Sequence, residues 1–531
     1  MRRVRSAPWA LTALVALVYV VATPPTTDLA AQVHRVDLAR DGVWLVDLSW
    51  FGGHHLPSYS VLMPLAGLLV APQVLAAIAS VPAAWAFGRL AERHRPGPAA
   101  VVASWWFAAG IGALLFTGRV TFVLGAAVGL LTLLVAAGPR APARPLAVAL
   151  GGVATALASP VAALFLALAG VAWALGGRAR AMPTVVAVTA MGSAVALAVA
   201  FPGGGSEPFV ASALVPAVVA LAVALVVLPR TERTLLAGVA LYLVAIVLAG
   251  TLDTPMGGNA TRLAALAGGP VLALALWGRR PVALALLALP FAYWQAYPPV
   301  RDATQAWSDD ATHAAVWAPL RDELARRLAR DPGRVEVPPT ARRGEVRWLG
   351  VDVPLARGWI RQLDRERHAL FYDGHGADDA LTAAAYRAWL DDNAVSLVAV
   401  PDDGVAVDYA SRREVELLRS GTVPGLREVW RGGRWRLLEV RDARPLAAPV
   451  KDGASVVVRA LTAGHVTLEA PAGVVDLRVR HSRWLRVLEG AACVERGPGG
   501  WTRVRTTVAG TVTIGGGIRA RRSGAHDACS P

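Results

Sequence analysis

The sequence predicts a polytopic α-helical membrane protein, N-in/C-out, with a C-terminal extracytoplasmic region of α/β and β-sandwich structure. Its 531 residues are 55% hydrophobic and 17% charged, with a mean hydropathy of +0.46. This is too apolar for a soluble chain of that length. Ala/Leu/Val runs fill residues 8–297, whereas charged residues, alternation and turn residues dominate from Arg301 onward. A membrane half therefore precedes a soluble half.

About eleven stretches approach the composition and length of a membrane span, which needs about 20 mainly apolar residues. The two shortest are separated only by Ser159 and Pro160 and predict a tight hairpin or one broken helix. Residues 59–70 are too few to span and predict a half-inserted or interfacial helix. The first stretch could also be a signal peptide, but it has no convincing cleavage site, and we expect a retained helix. The stretches are residues 8–23, 72–91, 99–117, 119–138, 145–158, 160–176, 182–201, 209–228, 233–250, 262–277 and 281–297.

The links between these stretches predict the orientation, because cytoplasmic loops carry an excess of arginine and lysine. If Arg2, Arg3 and Arg5 are cytoplasmic, alternation places five further links on that side, and all five are basic. The opposite links, such as 24–58, 201–209 and 251–261, are poor in arginine or mixed. Residues 24–58 and everything after about Pro298 are therefore expected outside the cytoplasm. The five basic links are 88–97, 138–145, 176–183, 229–234 and 278–280.

The net charge of +15 does not indicate nucleic-acid binding, although basic chains attract phosphate. Much of the positive charge in the first half lies in the short links, where membrane topology explains it. Lys451 is the only lysine, so the basic charge is nearly all arginine, a bias typical of a GC-rich genome. We therefore expect membrane lipids, and no nucleic acid, as partners.

The long first outer loop, residues 24–58, carries four acids: Asp28, Asp37, Asp41 and Asp47. The stretch "TDLAAQVHRVDLARDG" predicts a helix that starts near the capping residues Thr27 and Asp28 and stops at Gly42. Such a helix has one face with His34, Asp37 and Asp41 and another with Asp28, Gln32 and Arg35. One interpretation is a solvated amphipathic helix lying on the membrane.

A second interpretation starts from the position of Asp28. A carboxylate just beyond the first span lies at the water boundary, where a lipid-linked phosphate and an outer acceptor could both reach it. Desolvation there can raise its pKa enough for general-base catalysis.

The stretches "TTDLAAQVHRVDLARDG" and "WFGGHHLPSYSVLMPLAGLL", followed by a span ending in "GRLAERH", resemble the GT-C superfamily of polyprenyl-phosphate-dependent glycosyltransferases. The resemblance covers roughly the first 140 residues. It implies transfer of a sugar from a polyprenyl phosphate to a cell-envelope glycan or lipid at the outer face of the cell membrane. It also implies that Asp28 is the catalytic base, with Asp47 as the second candidate. Members often have another acid in the second outer loop, but here "FTGRVTF" holds Arg119, which leaves metal use and catalysis open.

Further candidates for substrate binding lie in the outer links. His54 and His55, with Trp50 and Tyr59, are expected to line a polar pocket whose aromatic faces pack on a sugar, or else the aromatics anchor the membrane interface. The histidines and Asp47 could alternatively hold a divalent metal. Adjacent histidines point in different directions, however, so we assign no metal ligand and no certain cofactor.

Arg262 opens a span after the flexible Gly257, Gly258 and Asn259. An arginine there could hold a lipid phosphate through paired hydrogen bonds, with Asn259 as a neighbouring contact. A snorkelling arginine without a ligand is the alternative, and Asp253 is close enough in sequence to neutralise its charge.

We expect three domains: a membrane domain at 1–298, an α/β region at 299–425 and a β-rich domain at 426–531. Residues 302–330 and 382–393 predict helices, "VSLVAV" predicts a strand, and seven short alternating stretches beginning with "WRLLEVR" predict a small β-sandwich. Cys493 and Cys529 either pair or stay as thiols. The stretch "LFYDGHGADD", with Asp373, His375, Asp378 and Asp379, is expected to be a polar loop rather than a cation site.

Two other functions remain open at this stage. A transporter or flippase usually has charges inside its spans or paired broken helices. The sequence has few midspan charges and no convincing internal repeat. A non-catalytic assembly partner of envelope enzymes would be favoured if Asp28 faces lipid or is buried against an arginine.

Overall fold

The computed structural model describes residues 7–372, 381–451 and 455–518. The chain divides into two compact units. The first, the helical unit, comprises Met1–Gln32 and Ser58–Trp307; the second, the mixed unit, comprises Val33–Pro57 and Ser308–Pro531. Residues 33–57 of the predicted outer loop therefore pack with the soluble half rather than with the predicted membrane domain.

All eleven predicted stretches are helical, and one of them, 262–277, is a broken helix. That helix consists of a 3₁₀ turn at Gly257–Thr261, a π-helical turn at Ala264–Gly268 and a final α-helix. The α-helices are α1 Pro8–Ala22, α2 Thr27–Arg40, α3 Leu62–Gly67, α4 Pro72–His94, α5 Pro98–Leu114, α6 Val120–Ala136, α7 Arg144–Ala158, α8 Pro160–Gly176, α9 Ala181–Ala200, α10 Ala211–Val227, α11 Arg233–Thr251, α12 Gly269–Leu276 and α13 Pro281–Trp307. Helix α2 begins in the helical unit and ends in the mixed unit.

Among the described residues, five helices are long and apolar enough to cross a membrane: α4, Pro98–Thr117, α9, α11 and Gly257–Leu276. Helices α1 and α2 meet at 75° and would add a sixth if they form one broken span. Helices α6, α7, α8 and α10 are apolar but shorter. The apolar helices agree with a multi-pass membrane protein, while the count of eleven spans stays a prediction.

The predicted cytoplasmic and outer links each make contacts among themselves. Glu232, in one basic link, accepts hydrogen bonds from His94 (2.9 Å) and Arg279 (2.5 Å), in two others. On the opposite side, the Glu207 amide donates to the Thr254 carbonyl at 3.0 Å. These contacts join links that alternation places on the same side, and both the full alternation and the side that faces the cytoplasm stay predictions.

Ser159 separates two helices rather than kinking one. Its hydroxyl caps α8 by accepting a hydrogen bond from the Ala162 amide at 3.3 Å, and Pro160 occupies the first turn of α8, where a proline is well tolerated. Close approach of α6 depends on Gly125, because a Cβ there would lie 2.7 Å from that of Ala162. Small residues at helix contacts are typical of membrane bundles.

The mixed unit contains one α/β layer and a β-sandwich. In the α/β layer, a four-stranded sheet has the order β3 (Arg334–Glu336), β4 (Val395–Pro401), β6 (Trp435–Val440), β5 (Leu426–Gly432). Strands β3 and β4 are parallel, and the other pairs are antiparallel. The sandwich, formed by the strands between Ala447 and Gly516, has two four-stranded sheets that share one apolar core. One sheet has the order β12 (Ala492–Arg496), β13 (Trp501–Thr506), β10 (Gly473–Arg480), β7 (Ala447–Pro449), and the other has the order β11 (Leu485–Glu489), β14 (Gly510–Gly516), β9 (His465–Ala470), β8 (Val457–Leu461). The helices are α14 Ala314–Leu328, α15 Gly344–Trp348, α16 Arg361–Arg367, α17 Ala383–Asp392 and α18 Arg412–Ser420.

The strands are β1 Val46–Asp47, β2 His54–His55, β3 Arg334–Glu336, β4 Val395–Pro401, β5 Leu426–Gly432, β6 Trp435–Val440, β7 Ala447–Pro449, β8 Val457–Leu461, β9 His465–Ala470, β10 Gly473–Arg480, β11 Leu485–Glu489, β12 Ala492–Arg496, β13 Trp501–Thr506 and β14 Gly510–Gly516. Helix α17 and strand β4 confirm the predicted helix-then-strand pair. Strands β5 and β6, beyond the expected boundary at 425, pair with the α/β sheet rather than with the sandwich.

The predicted helix at 302–330 is interrupted. Helix α13 runs on to Trp307, a 3₁₀ turn follows, and α14 starts at Ala314. The Asp309 carboxylate accepts a hydrogen bond from the Ala311 amide at 2.9 Å, which favours a turn over a continuous helix. Cys493 lies in β12, whereas Cys529, Asp373, His375, Asp378 and Asp379 lie outside the described residues, so the predictions for them stay untested.

Candidate active site

Asp28 lies in the first turn of α2, as predicted. The chain leaves α1 through Thr23 in a left-handed conformation and two prolines, and α2 begins at Thr27. A carboxylate in the first turn is favoured by the positive end of the helix dipole. The Asp28 side chain is 22% exposed, and its Oδ2 lies 3.2 Å from Nε of Arg119. The predicted base is therefore accessible and paired with an arginine.

Gly118 brings Arg119 to Asp28. Its φ of +75° is one that L side chains rarely adopt, and a Cβ there would lie 2.3 Å from Thr26 Oγ1 and 2.7 Å from the Leu29 amide. Only a glycine lets this link lie so close to the start of α2. In the sequence, Arg119 is visible only as a departure from the pattern of the resemblance, and no local signal identifies it as the partner of Asp28.

Arg262 follows the 3₁₀ turn of the broken helix. It is half-buried, and its Cζ lies 5.8 Å from the centroid of the Phe122 ring. Asp28, Arg119 and Glu207 lie within electrostatic range of its charge. Asp28, Arg119 and Arg262 are distant in sequence and are all predicted at the outer face of the membrane. They lie near each other within the helical unit.

Arg119 and Arg262 both line a cavity of about 210 Å³, together with Arg301. The rest of its wall is mostly apolar and aromatic. That combination fits a ligand with an anionic group attached to an apolar chain. The apolar and aromatic lining includes Leu114, Phe122, Ala213, Ala217, Leu266, Tyr293, Trp294 and Tyr297.

Side chains from two other helices hold the broken helix in place. The Tyr242 hydroxyl donates to the Ala260 carbonyl at 2.6 Å and accepts from the Ala264 amide at 3.1 Å. Gln295 Nε2 donates to the Leu266 carbonyl at 3.1 Å. These contacts satisfy backbone groups that the change of helix type leaves free, a requirement inside a membrane. Sequence reasoning missed both residues, although a glutamine inside an apolar run is a usable signal.

Tyr59 and Asn259, predicted to bind substrate, do not line this cavity. The Tyr59 hydroxyl accepts a hydrogen bond from Gln32 Nε2 at 3.5 Å. Asn259 is part of the 3₁₀ turn, and its Nδ2 lies 3.5 Å from the Pro255 carbonyl. Their proposed contacts with substrate stay predictions.

Asp47, His54 and His55 belong to the mixed unit. Asp47 is fully buried, with His34 Nε2 at 3.2 Å and the Ser49 amide and hydroxyl at 2.8 and 2.5 Å. Burial raises its pKa, but the hydrogen bond from His34, the charges of His54 and His34 and the bond from Ser49 outweigh it and leave the pKa below its usual value. A buried carboxylate with these partners is a weak base.

His54 and His55 point in different directions, as expected for neighbours in a strand. His54 is buried against Trp50, with ring centroids 5.5 Å apart, and both of its ring nitrogens lack a hydrogen-bond partner among the described residues. His55 Nε2 lies 2.8 Å from Ser482 Oγ. Burial lowers the pKa of His54 to about 3, with the Asp47 charge opposing this shift. His54 is thus a neutral, packed side chain.

A divalent metal finds no fitting site in the described part of the chain, where no three His, Cys, Asp or Glu side chains are grouped to hold one. No chemical step is therefore assigned to a metal.

Helix α2 also differs from a solvated surface helix, since Leu29, Ala31, Gln32, His34 and Arg35 are all buried.

No protein-family model and no curated protein matches the chain. It is similar to a single-particle cryo-EM structure of the arabinofuranosyltransferase AftD from Mycobacteria, with 17% identity, a TM-score of 0.45 and coverage of 86% of this chain and 41% of AftD. Two structures of an AftD mutant are also similar. Class 2 has 20% identity, a TM-score of 0.47 and coverage of 84% and 42%. Class 1 has 18% identity, a TM-score of 0.39 and coverage of 90% of this chain and 43% of the AftD chain.

The chain spans less than half of the length of these AftD structures. AftD is, by its name, a glycosyltransferase, the class of enzyme that the first outer loop resembles. Because all three TM-scores are below 0.5, the function of this chain is argued below from its own residues.

Proposed function

We propose that the protein is a membrane glycosyltransferase of the GT-C type. It transfers a sugar from a polyprenyl-phosphate donor to an acceptor of the cell envelope, a glycan or a lipid, at the outer face of the membrane. The observation that carries this proposal is the Asp28 carboxylate paired with Arg119, which lines an apolar cavity together with Arg262 and Arg301.

The cavity suits both ends of such a donor. Arginine binds phosphate through charge and directed hydrogen bonds, and Arg262 is the proposed clamp, with Arg119 and Arg301 beside it. The aromatic and aliphatic wall offers contacts for an isoprenoid chain. Arg262 makes no ion pair within 4.0 Å among the described residues, so its charge is available to a ligand.

The transfer needs a base and a stabilised leaving group. Asp28 takes the proton of the acceptor hydroxyl, whose oxygen forms a bond to the anomeric carbon of the sugar. The bond from that carbon to the phosphate oxygen breaks, and its electron pair leaves with the polyprenyl phosphate. The phosphate gains negative charge during this step, which Arg262 and its neighbours stabilise.

The remaining predicted residues do not line the cavity. Tyr59 and Asn259 stay proposed contacts for the acceptor or donor sugar. We propose structural roles for Asp47 and His54, because both are buried and packed, and we leave His55 as a proposed outer contact. The outward orientation of the site is part of the proposal.

The experiment is sugar transfer by the purified protein in lipid nanodiscs, supplied with a panel of polyprenyl-phosphate sugars and an envelope acceptor extract. Asp28→Asn should lower kcat by about 10²- to 10⁴-fold, the usual contribution of a general base. Arg262→Gln should raise KM for the donor by about tenfold or more, as expected for a lost charged hydrogen bond.

Asp37→Asn is the matched control. Asp37 also lies on α2 and also pairs with an arginine, Arg40, at 2.7 Å, but at the exposed surface. We expect this variant to keep the wild-type rate within twofold. Wild-type activity in Asp28→Asn would refute the role of Asp28. Donor binding without any transfer by the wild-type protein would favour transport of the lipid instead.

A further inference from the structure

Arg119 takes part in two sites at once. Its Nε contacts the Asp28 carboxylate, while its side chain lines the arginine-rich cavity. Within the described residues, neither of its Nη nitrogens makes a hydrogen bond. The guanidinium therefore holds the proposed base with one edge and keeps two nitrogens for another anion.

While Arg119 Nε donates to Asp28 Oδ2, that oxygen is occupied by the guanidinium and is not open to an acceptor hydroxyl. The pair is only partly buried, with side chains 26% and 22% exposed. Partly exposed ion pairs are weak, so a phosphate can displace Asp28 from Arg119.

We propose that Arg119 couples donor binding to activation of the base: the donor phosphate takes Arg119 from Asp28 and thereby frees the carboxylate. The inference rests on the proposed function and adds a regulatory step to the same site. Its consequence is an order of binding, with the lipid donor before the acceptor. Arg262, which has no carboxylate partner within 4.0 Å in the described part of the chain, is the natural first contact for the phosphate.

The fixed backbone positions of Asp28 and Arg119 support an exchange of partners by the Arg119 side chain rather than a permanent structural ion pair. Gly118 sets the backbone of Arg119 tightly against Thr26 and Leu29, so the backbone of both Asp28 and Arg119 is held in place. Only the flexible guanidinium has to turn toward the cavity. The other cavity arginine with a partner, Arg301, pairs with its own neighbour Asp302 at 2.7 Å and not with Asp28.

The test is equilibrium binding of radiolabelled polyprenyl phosphate, without a sugar, to the full chain in nanodiscs. Because Asp28 competes with phosphate for Arg119, Asp28→Asn should bind the lipid about two- to fivefold more tightly than the wild type. Arg119→Gln should bind it more weakly. In the double variant, the gain from Asp28→Asn should disappear, because the arginine for which Asp28 and the phosphate compete is absent.

Glu92→Gln is the matched control. Glu92 also pairs with an arginine, Arg89, at 3.2 Å, but in a basic link and not at the cavity. The lipid affinity of this variant should match that of the wild type. Thermal unfolding of each variant verifies folding. Equal or weaker binding by Asp28→Asn would overturn the coupling, even if that variant still loses transfer. Absence of lipid binding by the wild type would overturn the proposed function together with the coupling.

Discussion

At the scale of single residues, the sequence located Asp28 but not its partner. The composition of the first outer loop and the resemblance to GT-C enzymes both pointed to this carboxylate. The 3.2 Å contact with Arg119 depends on a turn 90 residues further along the chain, which no local pattern reveals. The arginine partner is also the condition that would favour a non-catalytic protein, but the Asp28 side chain remains 22% exposed, and its partner Arg119 lines a cavity suited to a phosphate.

The two adjacent histidines, His54 and His55, show that burial is difficult to predict from a short stretch of sequence. A pair of adjacent histidines beside aromatic residues resembles a ligand site in sequence, yet His54 is 5% exposed and lies between Trp50 and Phe51. His54 is buried because residues 33–57 are part of the mixed unit. The pattern of residues in a short stretch does not predict this packing.

Burial of neutral His54 predicts a loss of stability in acid. Its folded pKa of about 3 lies below the unfolded value of 6.5, so the unfolded chain binds the proton first. The contribution of His54 is present above pH 6.5 and is lost as the pH falls toward 3. Between pH 7 and 5 the loss should be about 2 kcal/mol. Asp47, with its lowered pKa, acts in the same direction, but only as the pH falls below the ordinary carboxyl value of 3.8.

His54→Leu should remove this part of the pH dependence. No hydrogen bond of the ring nitrogens is lost in the described structure, so the variant should keep its stability at pH 7. Chemical unfolding of both proteins at pH 7 and pH 5 measures the difference. An equal loss in both proteins on acidification would show that His54 is not the group responsible.

At the scale of elements, the helices were predictable and the broken helix was not. The capping residues Thr27 and Asp28 and the stop residue Gly42, which has a φ of +74°, located the ends of α2 correctly. The 3₁₀ and π-helical turns around Arg262 depend on side chains from other helices, including Gln295. A Cβ at Gly110 would lie 1.8 Å from Nε2 of Gln295, so a glycine in α5 makes the room. Contacts such as that of Gln295 with Gly110 depend on the tertiary structure, and the local sequence gives only a weak signal of them.

Tyr242→Phe tests the support of the broken helix. Losing the hydroxyl removes two hydrogen bonds that hold the turns on either side of Arg262. We expect KM for the donor to rise by about three- to tenfold while kcat changes less than twofold, because Arg262 binds the phosphate without reacting. Initial rates in nanodiscs measure both constants.

Tyr19→Phe is the control for that variant. Tyr19 is also a buried tyrosine of the helical unit, but its hydroxyl lacks a hydrogen-bond partner among the described residues. Its KM should match the wild-type value. Equal effects of the two variants would indicate general loosening rather than positioning of Arg262.

At the scale of the whole molecule, composition alone separated apolar helices from a soluble part. Sequence order suggested a boundary near residue 298, yet residues 33–57 belong to the later unit. The β-sandwich was predicted from short alternating strands and is present, while "WRLLEVR" joined the neighbouring sheet. Strand type is visible in a local pattern, but strand partners are set by topology.

Sidedness is also a property of the whole molecule. The basic link at Glu232 contacts two other basic links, and the outer link at Glu207 contacts the one at Thr254, as expected for an alternating chain. The site at Asp28 lies with the arginine-poor links. The proposed function requires those links to face the outside, where a sugar carried by a lipid meets an envelope acceptor.

Labelling of single cysteines with a membrane-impermeant maleimide on intact spheroplasts tests this claim most directly. In a chain with both native cysteines replaced by serine, Asp253→Cys lies in an arginine-poor link and Ala141→Cys in a basic link, and both positions are exposed. We predict rapid labelling at position 253 and labelling at position 141 only after the cells are lysed. Labelling of position 141 in intact spheroplasts, with protection of position 253, would place Asp28 in the cytoplasm and contradict the proposed function.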